Sequence, residues 1–111
     1  MSIPKTNSFL NHGKGGAPWR DRCLLALAIL EIGPQSNTGL YQMASLSRHL
    51  LPSLLTVART MDHLLTEKMV SKESSGSAFV PVTWTLLASG REYLAQAQAS
   101  GWVAPVRESF S

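Results

Sequence analysis

Charge is scarce in this chain and cysteine nearly absent: Asp, Glu, Lys and Arg make up 15% of its 111 residues, and there is one Cys. A single thiol cannot form an internal disulfide framework. Long apolar runs are missing as well. The longest, CLLALAIL (23–30), is bounded by Arg22 and Glu31, whereas a membrane span needs about 20 apolar residues. The start, MSIPKTNSFLNHGKGG, lacks the contiguous apolar stretch of a secretory signal, so the cytoplasm is the expected compartment. His12, His49 and His63 share no metal-ligand spacing and have no second cysteine to help them, so no metal and no cofactor is expected. HGKGGA around Lys14 lacks both the preceding strand and the Ser or Thr of a phosphate-binding loop. No Ser, His and Asp set or carboxylate pair is clustered for catalysis, and an enzyme is not expected.

What is present is one domain's worth of chain, 44% hydrophobic and so able to bury a core. A surface this poor in charge suggests cover by a partner, self-association being the simplest. The net charge of +3 is concentrated: Lys5, Lys14, Arg20 and Arg22 against Asp21 place +3 in the first 22 residues, and the remainder sums to zero. Diffuse attraction to nucleic acid would therefore come from the N-terminal arm, with the folded part adding local contacts.

Residues 1–17 read as a flexible basic arm, rich in Gly, Ser, Thr and Asn. A first helix is expected from about Trp19 to Ile32, opened by Pro18 and stopped by Gly33-Pro34. Beyond Arg22 it is apolar almost all round and should be buried on more than one side. A second, short helix is expected over Gly39–Arg48 with Leu40, Met43, Leu46 and Ala44 inward. A third runs from Ser53 to Lys68, with Pro52 in its first turn. Around this third helix Val57, Leu64, Met61, Leu54, Leu65 and Ala58 share one arc, the expected core face. The opposite side carries Leu55, Thr56, Arg59, Thr60, His63 and the two carboxylates Asp62 and Glu67, both in its C-terminal half.

The period then changes. Met69 and Val70, and Phe79 to Leu86, alternate as two strands joined by a tip of Ser74, Ser75, Gly76 and Ser77, and Pro81 hints that the second strand is an edge. A fourth helix is expected from Ser89 to about Ala99. Residues 100–111 form a tail whose Trp102, Val103, Val106 and Phe110 are, with Trp19, candidates for a partner interface; alternatively Trp102 packs back onto the first helix and the rest frays. The order helix, helix, turn, helix, hairpin, helix predicts an α+β, mostly helical fold: a winged helix-turn-helix over 18–99 with a two-stranded wing.

The stretch TVARTMDHLLTEKMV (56–70) resembles the recognition helix and the start of the wing in the MarR and PadR families of transcriptional regulators. WTLLASGREYL (84–94) is similar to the passage that follows their wing, with Trp84, Leu86, Gly90 and Arg91 at the matching positions. The resemblance spans Trp19 to Gln98 and implies a DNA-binding regulator, repressor-like and homodimeric. The sequence departs from that pattern at Lys68, where Gly usually ends the recognition helix, at Leu87, which replaces a Thr cap, and in having no long terminal dimerisation helices.

On this reading the N-terminal half of the third helix enters the major groove of double-stranded DNA. Arg59 would contact guanine or phosphate, and Ser53, Thr56 and Thr60 phosphates or base edges. His63 would reach backbone or base, and Leu55 a thymine methyl. Lys14, Arg20, Arg22, Arg48 and Lys72 are candidate phosphate contacts, and Ser74, Ser75, Gly76 and Ser77 candidate wing contacts. The alternative is an interaction module that docks on a protein partner with little affinity for DNA.

Overall fold

The computed structural model of the chain describes residues 16–74, 76 and 80–105, with side chains from Pro18 onward. The first helix, α1 (Gly16–Ile32), begins three residues earlier than expected. Pro18 thus falls inside the first turn, where its missing N–H has no intrahelical partner to lose. Cys23 to Leu27, Ile29 and Leu30 are all buried. The near-continuous apolar run lets α1 pack against the three helices and the second strand that follow it. It ends before Gly33-Pro34, where the proline ring disfavours helical backbone in the residue preceding it.

The second helix, α2 (Asn37–Met43), is shorter than the expected Gly39–Arg48 span. Ser36 caps it, its Oγ accepting from the Gly39 N–H at 3.1 Å. Past Met43 the chain tightens into a 3-10 turn, Ser45–Ser47. Leu46 (56% exposed), inside this tighter turn, and Met43 (43%), the last residue of α2, both point outward, correcting the expectation that both face the core, while Leu40 and Ala44 do point inward.

The third helix, α3 (Leu54–Thr66), is capped by Ser53, whose Oγ accepts from the Thr56 N–H. Pro52 precedes the cap instead of occupying the first turn. The buried stripe of α3 is Val57, Thr60, Met61 and Leu64, with Leu65 and Ala58 half-buried and Leu54 47% exposed. It is therefore rotated towards Thr60 relative to the expected arc. Thr60 can be buried because its hydroxyl donates to the Thr56 carbonyl at 2.8 Å, leaving nothing unsatisfied in the core.

Two strands, β1 (Val70–Glu73) and β2 (Thr83–Leu86), pair antiparallel in the register Val70↔Leu86, Ser71↔Thr85, Lys72↔Trp84, Glu73↔Thr83. Period-two alternation puts Trp84 and Leu86 into the core. β2 starts later than the expected run from Phe79, and Pro81 lies outside it. Nor is β2 an edge at its centre, because Gln35 pairs with its other side through Gln35 N–H to Trp84 O (3.2 Å) and Trp84 N–H to Gln35 O (2.8 Å). The last helix, α4 (Ala88–Ala99), opens at Leu87 with no side-chain cap. The result is an α+β fold of four α-helices and one two-stranded antiparallel sheet among the described residues. No described helix is long and apolar enough to cross a membrane.

The ends of α3 and α4 are built alike. At α3 the Met69 N–H reaches Leu64 O (2.9 Å) and the Lys68 N–H reaches Leu65 O (3.0 Å). At α4 the Trp102 N–H reaches Ala97 O (2.9 Å) and the Gly101 N–H reaches Gln98 O (3.0 Å). Both are Schellman turns, which need a left-handed residue after the cap. α4 supplies Gly101 (φ 100°), but α3 supplies Lys68 (φ 63°), which carries a Cβ into a region that disfavours it. Lys68→Gly is therefore expected to stabilise the fold by about 1 kcal/mol and raise the melting temperature by about 5 °C. A thermal melt showing a decrease would contradict this account of the turn.

Candidate nucleic-acid interface

Because Thr60, Leu64, Val57 and Met61 face the core, the side of α3 directly opposite is occupied by Leu55, Arg59, Asp62 and Thr66, all exposed. Leu55 is 59% exposed, as its place on the wheel predicts. Arg59, one turn further on, stands clear of the core in the middle of the helix. Asp62 follows on the same stripe, and the Thr66 hydroxyl donates to its backbone carbonyl (3.0 Å). Positive charge is thus confined to the N-terminal side of this face.

The hydroxyls around Arg59 are more engaged than the sequence suggests. The Ser53 and Thr56 side chains hydrogen bond to each other (3.1 Å) while Ser53 caps the helix. Thr60 is 1% exposed, which corrects its placement among the groups able to meet DNA. The His63 ring is half-buried and meets Trp19 edge-on, ring centres 5.1 Å apart at 76°, so it joins α3 to α1.

Of the candidate phosphate contacts, Lys14 lies outside the described residues. Arg22 Nε donates to the Leu50 carbonyl (2.5 Å), fastening α1 to the segment before α3. Arg48 Nη1 donates to the carbonyls of Tyr41 (2.8 Å) and Leu51 (3.2 Å), and its guanidinium carbon sits 3.7 Å from the centre of the Tyr41 ring. It closes the turn between α2 and α3, a role that its partners' carbonyls and ring assign and its sequence position does not. Arg20 lies beside Tyr93 of α4. Burial pushes the Tyr93 hydroxyl up from its usual range, opposed by its hydrogen bond to Arg20. Lys72 is exposed on β1, with its ammonium 5.6 Å from the centre of the Trp84 ring across the ladder.

In the tip, Gly76 has φ 80° and its N–H donates to Ser74 Oγ (3.3 Å). Both residues are exposed, and Ser75 and Ser77 lie outside the described residues.

The tail resolves one sequence alternative: Trp102 packs back, its Nε1 donating to Asp21 Oδ1 at 2.9 Å, and the Pro105 carbonyl accepts from Ser47 Oγ at 2.8 Å. The segment 102–105 thus crosses from α1 to the turn before α3. Val103 between these anchors is exposed, and Val106 and Phe110 lie outside the described residues. Cys23 is buried in α1, and burial pushes its thiol up to about 12 despite the opposing pull of Arg22, keeping it protonated and unreactive. Among the described residues no group of three or more His, Cys, Asp or Glu converges on one point.

Three apolar residues that the sequence pattern assigned to the core, Met43, Leu46 and Leu54, are exposed around the turn joining α2 to α3. No protein-family model matches the chain, and comparison with curated proteins finds no significant relative.

Proposed function

We propose that this chain is a small winged helix-turn-helix regulator, of the kind the MarR and PadR resemblance implies, which binds double-stranded DNA sequence-specifically as a homodimer. In this reading α2, the turn and α3 form the helix-turn-helix, β1 and β2 the wing, and α3 the recognition helix. The observation that carries the reading is Arg59: it is an exposed cation on the face of α3 opposite the core, within the half of the helix that precedes the carboxylates. Exposed Lys72 and the tip residues Ser74 and Gly76 would flank it along the phosphate backbone.

Arg59→Ala is expected to weaken binding by about 1–3 kcal/mol if the guanidinium reads a base edge, and by less, with a shallower salt slope, if it meets a phosphate. Titrations of a bound duplex at two salt concentrations measure both. Unchanged affinity and slope would remove Arg59 from the site.

A second reading is favoured by Met43, Leu46 and Leu54, which give the turn more exposed apolar surface than a groove-binding element needs. It is a protein-docking module with little DNA affinity. Docking of that kind tolerates salt, whereas DNA binding falls steeply with it and depends on the basic arm. An electrophoretic shift at two salt levels, with and without residues 1–17, separates the two.

A further inference from the structure

Which base pairs could α3 distinguish? Of the side chains in its N-terminal half, Ser53 and Thr56 are tied to each other, and Thr60 is buried with its hydroxyl on the helix backbone. The one hydroxyl hydrogen that the Ser53–Thr56 pair leaves over belongs to a group that donates and accepts alike, so it discriminates little between base edges. His63, one turn beyond, packs against Trp19. Leu55 and Arg59 remain, four residues apart on one outward stripe. One is apolar and the other a fork of N–H donors.

These two chemistries match two different base edges. The thymine C5-methyl is the apolar feature of the major groove, and O6 and N7 of guanine form the acceptor pair that a guanidinium spans. Four residues of helix rise about 6 Å, against about 3.4 Å between stacked base pairs, so both groups can be met by base pairs no more than two steps apart. The charge pattern limits the length of this reading head. Asp62, the next residue of the stripe, carries a carboxylate that opposes phosphates and acceptor-rich edges. Leu54 is exposed beside Leu55 and adds apolar surface at the same end.

Resting on the DNA-binding reading above, we infer that recognition by α3 is a two-point code: Leu55 covers a thymine methyl within two base-pair steps of a guanine that Arg59 reads. The bound duplex then needs that methyl itself and not merely an A·T pair, a distinction the minor groove cannot make.

The test uses the full chain and a randomised double-stranded pool, from which bound duplexes are selected at low salt. The selected duplex is remade with uracil for each thymine near a guanine, which deletes one methyl and leaves every hydrogen-bonding group in place. Uracil at one position is expected to weaken binding about fourfold, the worth of one buried carbon. Leu55→Ala, exposed and so tolerated by the fold, should bind the thymine and uracil duplexes alike. 7-Deazaguanine should weaken the parent but not Arg59→Ala. Equal affinity of the parent for thymine and uracil duplexes, or selected duplexes without a thymine that close to a guanine, would overturn the two-point code while leaving DNA binding intact. Failure of the pool to yield any bound duplex would overturn both.

Discussion

Trp84→Ala is expected to destabilise the protein by about 3–5 kcal/mol, the usual cost of removing a large buried aromatic side chain. Three attachments meet at this residue. Its ring is buried against the core with Lys72 across the ladder, its backbone pairs with Gln35 in both directions, and its Nε1 donates to Asn37 Oδ1 at 2.7 Å. Gln35 and Asn37 flank Ser36, the cap of α2, so one residue of the hairpin holds the segment that opens α2. Trp84→Phe separates these contributions. It keeps most of the buried area and loses the N–H donor to a half-buried amide, which is worth about 1 kcal/mol. Urea unfolding of the two variants gives the comparison. A cost for alanine no larger than that for phenylalanine would mean that the hydrogen bond, not the ring, does the holding. A loss of several kcal/mol is a large share of the total stability of a domain this size, about 5–15 kcal/mol. The alanine variant is therefore also expected to lose protection from hydrogen exchange first in β1 and β2.

The elements themselves were legible in the sequence because each is marked by local chemistry. Gly33-Pro34 ends α1, Ser53 opens α3, the alternation through Trp84 and Leu86 marks β2, and the Gly101 turn closes α4. Of the candidate site, the outward orientation of Leu55 and Arg59 was legible. What was not legible depends on partners far along the chain or on atoms that every residue shares. Arg22 and Arg48 are absorbed by backbone carbonyls of Leu50, Tyr41 and Leu51, and no residue type in the sequence advertises a carbonyl. Gln35 bonds to the outer side of β2 at Trp84 from 49 positions earlier, so the edge strand is covered at its centre. A helical wheel ranks Thr60 as polar and Leu54 as apolar. A threonine whose hydroxyl is satisfied by the preceding turn behaves in the core much as a valine would, and the first turn of α3 extends past what covers the rest. The same limit applies to Leu46, whose outward turn follows from the switch to a 3-10 geometry after α2.

Gly90→Ala is expected to cost about 3 kcal/mol, against the trend for glycine in a helix. Alanine ordinarily gains about 1 kcal/mol over glycine at such a position through propensity. Here a Cβ would stand 2.3 Å from the Met69 carbonyl oxygen and 2.9 Å from Leu86 Cδ1. The leucine can shift, but the carbonyl cannot, because it already accepts the Leu87 N–H at 3.0 Å while the neighbouring Lys68 carbonyl accepts Ser89 Oγ at 2.6 Å. Relief requires α4 to move off the junction where α3 passes into β1, and that junction fixes the angle between the proposed recognition helix and the proposed wing. Overpacking of a rigid contact outweighs the propensity gain. Gly33→Ala is the control, since a Cβ there meets nothing within 4 Å. It should leave the urea midpoint nearly unchanged or slightly raised. If Gly90→Ala unfolds at the same urea concentration as Gly33→Ala, the close approach of α4 to Met69 is not a constraint on the fold. If instead it is destabilised and the proposed DNA binding weakens even well below its unfolding midpoint, the geometry between α3 and the hairpin is what the glycine protects.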